Sequence, residues 1–330
     1  MGSRPFSNAD PFLQLIVLFL LAFVCVGVFL LMGQGILNAL WGVNLFENPN
    51  ALTDYENEQV VQMNRLLLLF QHLGLFIVPA IIFARLSSTS WKKYVGFRFV
   101  MPRLAVASVL VMIAALPIIN VLAWVNEGMV LPEYLSGLEE AFAEMEESAK
   151  EITMAIAGTG SVVSLFFNFI VVALLPAFGE EMIFRGLMIP IFRKWTRNVH
   201  LAVWLSAFLF SAMHFQFYGF LPRFVLGGLL GYLFVWSKSL WAPILAHFVN
   251  NALALVLLFL IARGSISEDI DSFDPTFSDW VWVGVSVGAV SGLIYYITKY
   301  AKGWKDNYRA LKLQEGNEKS SRETDDNLLN

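Results

Sequence analysis

Residues 165–192 read LFFNFIVVALLPAFGEEMIFRGLMIPIF, and this stretch decides the fold. As a helix rising about 1.5 Å per residue it outreaches the ~30 Å hydrocarbon core of a bilayer. Its ionisable residues are Glu180, Glu181 and Arg185, set in the middle of the run. A charge at the centre of a membrane helix costs roughly 2.5–3.5 kcal/mol, so three together call for a reason. Apolar blocks of similar length recur on both sides. Hydropathy predicts eight spans near 12–33, 62–84, 104–125, 165–191, 200–219, 221–237, 240–262 and 280–298. Composition agrees, with 57% hydrophobic and 15% charged residues, against about 25% charged in a soluble domain. The fold class is therefore all-α, a polytopic membrane protein of about eight transmembrane helices.

Charge in the connecting segments tests that count. Arg85, Lys92, Lys93, Arg98 and Arg103 follow span two, Arg193, Lys194 and Arg197 follow span four, Lys238 follows span six, and Lys299, Lys302 and Lys305 follow span eight. The alternate segments are acidic: Glu47, Asp54, Glu56 and Glu58 after span one, a run from Glu127 to Glu151 after span three, and Glu268 to Asp279 before span eight. Such alternation suits an eight-span chain, and the excess of Lys and Arg puts both termini in the cytoplasm. Arg65 and Arg223 run against the trend and are expected to snorkel to nearby span ends. The first apolar run is too long for a cleavable leader and is read as a permanent span.

The acidic stretch 135–156 is expected to form an amphipathic helix capping the outer side. Gly227 and Gly231, and the ladder Gly284, Gly288 and Gly292, have the spacing that lets helix backbones approach. Cys25, the single cysteine, is read as a small residue of a membrane helix. Residues 1–302 form one transmembrane domain on this reading, and 303–330 a polar, disordered cytoplasmic tail.

Polar residues inside spans mark function by default. Glu181 and Arg185, at i and i+4, share a helix face and should pair, whereas Glu180 is rotated by about 100° and left free for proton transfer. His214 closes the run Phe210-Ser211-Ala212-Met213-His214 in span five. In span seven His247 and Asn251 share a face, with Asn250 beside them. Neutral imidazole can transfer a proton or ligate a metal, and an amide can donate to developing negative charge. His72, beside Gln71 in span two, is read as a packing residue, and His200 lies at a membrane edge.

Taken together, Glu180-Glu181-x-x-x-Arg185, Phe210-x-x-x-His214 and His247-x-x-x-Asn251 resemble, in order, the three motifs of the CPBP (CAAX protease and bacteriocin-processing, or Abi) intramembrane proteases, which include the Ras-converting CAAX prenyl endopeptidases. The resemblance implies helices gathered around a polar, water-accessible intramembrane cavity, and endopeptidase activity on a membrane-associated or lipidated, CAAX-like peptide. It implies that Glu180 and His214 activate water, that His247 and Asn251 hold the oxyanion, and that Glu181 and Arg185 support them. For cofactors it implies either a divalent metal such as zinc on Glu180, His214 and His247, or metal-free hydrolysis driven by the glutamate. Asparagine is a poor zinc ligand.

Other intramembrane protease types fit worse. The sequence has no H-E-x-x-H, no Gly-flanked serine paired with a histidine inside a span, and no aspartate within any span. The alternatives in other classes are a non-catalytic immunity or scaffold protein that binds a peptide, and a proton-coupled transporter. On every reading the partners are the lipid bilayer and a peptide or protein at the membrane, with no role for nucleic acid.

Overall fold

The computed structural model describes residues 6, 9–158, 162–266 and 275–301. The expected tail at 303–330, and the acidic residues Glu268, Asp269, Asp271 and Asp274, lie outside the described residues. Among the described residues there is no strand; ten helices carry the fold, with a short 3-10 turn at Glu133–Leu135. They are α1 (Pro11–Trp41), α2 (Glu58–Ser87), α3 (Trp91–Val95), α4 (Pro102–Glu127) and α5 (Ser136–Gly158). Then come α6 (Val163–Thr196), α7 (Val199–Ala212), α8 (Phe220–Ser237), α9 (Trp241–Ala262) and α10 (Phe277–Tyr300).

Local sequence sets several of these limits. Asp10 accepts from the Phe12 amide to start α1 beside Pro11, and Gly42 ends it in the left-handed region. Thr276 and Asp279 form a capping box at α10. Arg197 and Lys238 turn the chain out of α6 and α8 at positive φ.

Seven helices (α1, α2, α4, α6, α8, α9 and α10) are long and apolar enough to cross a membrane by length and composition. The fifth expected span differs. Helix α7 has 14 residues and stops at Ala212 instead of running on towards residue 219. The chain leaves it through turns in which the His214 and Phe215 amides donate to the Ser211 and Ala212 carbonyls, and Phe215 has a φ of 53°. A bulky residue in that region is strained and is held only by its surroundings. Irregular backbone at membrane depth requires cover from protein or a water-filled cavity. Here Asn126, at the end of α4, donates to the Phe217 carbonyl and accepts from the Leu221 amide, pinning both sides of the loop 213–219.

The acidic stretch forms α5, and it lies against the same loop. Glu146 accepts from the Tyr218 amide at 3.1 Å, Glu139 from the Tyr218 hydroxyl at 3.1 Å, and Phe142 stacks on Phe217. At the far end of α5, the Ile156 carbonyl accepts from Arg65 and Asn168. Arg65 is thus buried as a cap on α5 and does not snorkel. The orphan carbonyls of a helix end offer a buried guanidinium a partner that the sequence pattern does not reveal.

Helix α6 runs through the middle, packed by α2 and α9 along its first half and by α7, α1 and α3 further on. Gly179 brings α6 and α2 together: a Cβ there would lie 2.8 Å from Phe76 Cβ and 3.0 Å from Ile77 Cγ1. Gly227 and Gly231 do what their spacing predicts, since added Cβ atoms would meet Ala207 at 3.2 Å and Val203 at 2.8 Å on α7. The ladder on α10 does not. Cβ atoms at Gly284, Gly288 and Gly292 would meet nothing within 4 Å, and α10 instead turns Ser286 and Ile297 inward, Ser286 bonding the Ala114 carbonyl of α4. The outward faces of α1 and α10 are apolar, with Phe23 76% and Trp282 62% exposed. Apolar surface of this extent is what hydrocarbon, not water, solvates.

Candidate active site

The two adjacent glutamates sit where α6 changes its winding. Residues Met182–Met188 form π-helical turns directly after Glu181, and Leu73–Ile77 of α2 do the same directly after His72. Wider π turns re-aim the side chains around them and recur at functional sites. The site thus lies between two helices that loosen at the same place, with α9, the end of α7 and the start of α8 around them.

Glu181 and Arg185 pair as their spacing predicts. Arg185 Nη1 donates to Glu181 Oε1 at 2.7 Å, Nη2 donates to the Gly227 carbonyl at 3.0 Å, and the guanidinium lies 4.5 Å from the centre of the Phe210 ring. Glu181 is 0% exposed and Arg185 1%. The same Glu181 Oε1 accepts from His247 Nδ1 at 2.9 Å. In the neutral ring that bond holds the proton on Nδ1 and leaves Nε2, which lies 3.9 Å from Glu180 Oε2, with a lone pair. One imidazole therefore bridges the two glutamates, bonded to one and facing the other.

Glu180 has a different surrounding. Neither of its oxygens accepts a hydrogen bond among the described residues, and it is 7% exposed where Glu181 is sealed. Its second oxygen, Oε1, faces His72 Nε2, also at 3.9 Å. Nδ1 of His72 bonds the Leu68 carbonyl at 2.9 Å; a carbonyl only accepts, so this ring too presents a bare Nε2. His72, set aside from the sequence as a packing residue, thus belongs to the site. The signal for it was a Gln71-His72 pair inside an otherwise apolar run.

His214 is brought near but does not touch Glu180 among the described residues. Its Nδ1 bonds the Phe210 carbonyl at 2.8 Å. The Phe210 ring stands between the histidines, with centroid distances of 5.2 Å to His214 and 5.9 Å to His247. Asn251 follows His247 by one turn, half-buried, and its Oδ1 accepts from Asn250 Nδ2 at 3.3 Å. Arg223 departs from expectation. Its guanidinium tucks under Gly219 and bonds Gln216, its Nη1 is buried without a hydrogen-bond partner, and it lies within electrostatic range of Glu180 and His214.

These residues can be tested as metal ligands. The bare Nε2 atoms have the right chemistry, since metal-bound imidazoles often donate their other N–H to a carbonyl or carboxylate. The spacing is wrong. A tetrahedral ion holding ligands at about 2.0–2.1 Å sets them roughly 3.4 Å apart, and both imidazole–Glu180 separations are 3.9 Å. Among the described residues no three His, Cys, Asp or Glu side chains are gathered in the arrangement of a metal site. The His247–Glu180 spacing does not match a tetrahedral ion, and no step below passes through a metal.

Residues 162–253 match the family model described as Type II CAAX prenyl endopeptidase Rce1-like. Over this stretch the chain is similar to that family. The matched stretch holds Glu180, Glu181, Arg185, His214, His247 and Asn251 and leaves His72 outside. With seven apolar helices of spanning length, the chain is an integral, multi-pass membrane protein. It is 32% identical over 89 residues to YpbD of Bacillus subtilis (strain 168), described as an uncharacterized protein; the match covers 26% of this chain and 42% of YpbD. It is 36% identical over 80 residues to SkfC of the same organism, described as a sporulation-killing factor biosynthesis protein, covering 22% of this chain and 16% of SkfC. The chain thus spans less than half the length of either relative. No solved structure gives a significant match.

Proposed function

We propose that this chain is an intramembrane endopeptidase that hydrolyses a peptide bond in a membrane-associated or lipidated peptide, with Glu180 taking a proton from the attacking water. One observation carries the reading: a carboxylate set among membrane helices, free of any bonded cation, with an imidazole Nε2 3.9 Å from each of its oxygens. That gap is too long for a hydrogen bond and suits a water wedged between nitrogen and oxygen. The Rce1-like match over residues 162–253 supports the same reaction class.

On this reading, Glu180 accepts the proton as the water oxygen bonds to the scissile carbonyl carbon. The oxyanion forms towards Asn251, whose Oδ1 is taken up by Asn250 so that its NH2 group is the free end. Nε2 of His247, in the neutral ring, accepts from water, while Glu181 fixes the ring. Arg185 keeps Glu181 in place. His214, tied at Nδ1, offers a bare Nε2 to water entering beside Phe210. The mechanism uses no metal.

We also place both termini on the cytoplasmic side, because the basic segments around Lys92, Lys93, Arg193 and Lys194 alternate with the acidic α5. This topology requires α7 and the loop 213–219 together to make one crossing. Residues 1–302 act as one transmembrane unit and 303–330 as a cytoplasmic tail.

The test is cleavage of quenched-fluorescent peptides, with and without a prenyl group, by detergent-purified protein. Wild type, Glu180→Gln and chelator-treated samples run together. Turnover in wild type that survives chelation and vanishes in Glu180→Gln supports the proposal. Peptide binding without cutting, unchanged by Glu180→Gln, favours a scaffold or immunity protein, and peptide transport across vesicles favours a transporter.

A further inference from the structure

The two imidazoles that face Glu180 are placed as counterparts. His247 approaches Oε2 from α9 and His72 approaches Oε1 from α2, each through Nε2 at 3.9 Å. Each has its Nδ1 proton fixed, on Glu181 in one case and on the Leu68 carbonyl in the other. A histidine that only packs has no need of an open nitrogen aimed at a carboxylate. The backbone also commits to this placement. Leu73–Ile77 is wound as a π turn directly after His72, and Gly179, next to Glu180, lets Phe76 and Ile77 of that turn pack against α6 with no room for a Cβ. The His72 side chain is 12% exposed and that of Glu180 9%.

We propose that His72 is a proton-transfer residue of this site, partnering Glu180 on the side opposite His247. The inference rests on the endopeptidase reading and extends it to a residue outside the Rce1-like match. A water about 2.8 Å from both His72 Nε2 and Glu180 Oε1 closes a 3.9 Å gap with an angle near 90°. Water gives a proton to Glu180 Oε1 while its oxygen bonds to the carbonyl carbon, and the carbonyl π pair becomes the oxyanion. A second water, the one that bridges the 3.9 Å gap, relays the proton from Glu180 Oε1 to His72 Nε2. As the tetrahedral species collapses, the C–N bond breaks, its electron pair stays on nitrogen, and His72 delivers the proton there. Both side chains return to their starting state.

The experiment compares wild type, Glu180→Gln, His72→Gln and His72→Ala on the same peptide, reading kcat, KM and the unfolding midpoint. With proton transfer worth 10²–10⁴-fold in general, kcat should fall by about 10²–10³-fold in both His72 variants. KM should stay within about twofold and the midpoint within the wild-type range, because a transfer made only on the way to the transition state leaves ground-state binding alone. Added imidazole should restore part of kcat to His72→Ala, and pyrazole, the same shape but a far weaker base, should not. A His72→Ala variant within about fivefold of wild type overturns the proposal. So does a loss that tracks a lowered unfolding midpoint and is not restored by imidazole. In either case an inactive Glu180→Gln leaves the endopeptidase reading standing. A wild type without turnover, or an active Glu180→Gln, overturns both.

Discussion

Replacing Arg185 with methionine tests the electrostatic frame of the site. In the wild type Glu181 is 0% exposed, and its Oε1 holds both Arg185 Nη1 at 2.7 Å and His247 Nδ1 at 2.9 Å. Its Oε2 has no hydrogen-bond partner, so little else in the site compensates the charge. Arg185→Met leaves that carboxylate buried with the imidazole alone. Breaking a buried pair from one side costs about 3–5 kcal/mol. Loss of the donor to the Gly227 carbonyl and of the contact with Phe210 falls within that range, because these terms share one side chain and do not add. Against a total stability of about 5–15 kcal/mol this is a large fraction. The assay is equilibrium unfolding in mild detergent, alongside a Glu181→Leu/Arg185→Met double variant. Removing both buried charges should return stability to within about 1–2 kcal/mol of wild type, since replacing a whole buried pair with apolar groups is often neutral. Turnover should not return, because His247 has lost the group that orients it. A single variant destabilised by less than about 1 kcal/mol, or a double variant no more stable than the single, refutes the reasoning.

Four further outcomes follow from the packing and the site. Gly179→Ala should destabilise by about 1–3 kcal/mol, because its Cβ would press Phe76 and Ile77. Gly288→Ala, on the open face of α10, should be neutral or gain up to about 1 kcal/mol, both read by the same unfolding assay. Glu146→Ala removes the acceptor of the Tyr218 amide, and hydrogen exchange across residues 213–219 should quicken by roughly tenfold, about 1.4 kcal/mol, with α6 unaffected. A zinc chelator such as phenanthroline should leave turnover unchanged, whereas a loss restored by added zinc would reverse the metal-free account.

The helices were legible in the sequence because hydrocarbon imposes one plain requirement, a long apolar run, and charged segments mark its ends. The Glu181–Arg185 pair was legible for a similar reason, since both partners share one helix face. His72 was not, because its partner is on another helix and π turns on both sides set its aim. The premature end of α7 was hidden by apolar residues such as Phe215 and Phe217, which hydropathy counts towards a span although Phe215 turns at positive φ and Asn126 and Glu146 hold the backbone at Phe217 and Tyr218 as a loop. Spacing alone also could not distinguish Gly227 and Gly231, which meet α7, from the α10 ladder, which meets nothing. Periodicity fixes which residues share a face, and tertiary packing decides whether that face has a neighbour.

The most direct test of the central claim is mass spectrometry of a membrane-anchored peptide incubated with wild type or Glu180→Gln in proteoliposomes. The account predicts two fragments from a single cut with wild type and an intact peptide with Glu180→Gln of equal thermal stability. Equal cleavage by the two proteins would contradict it.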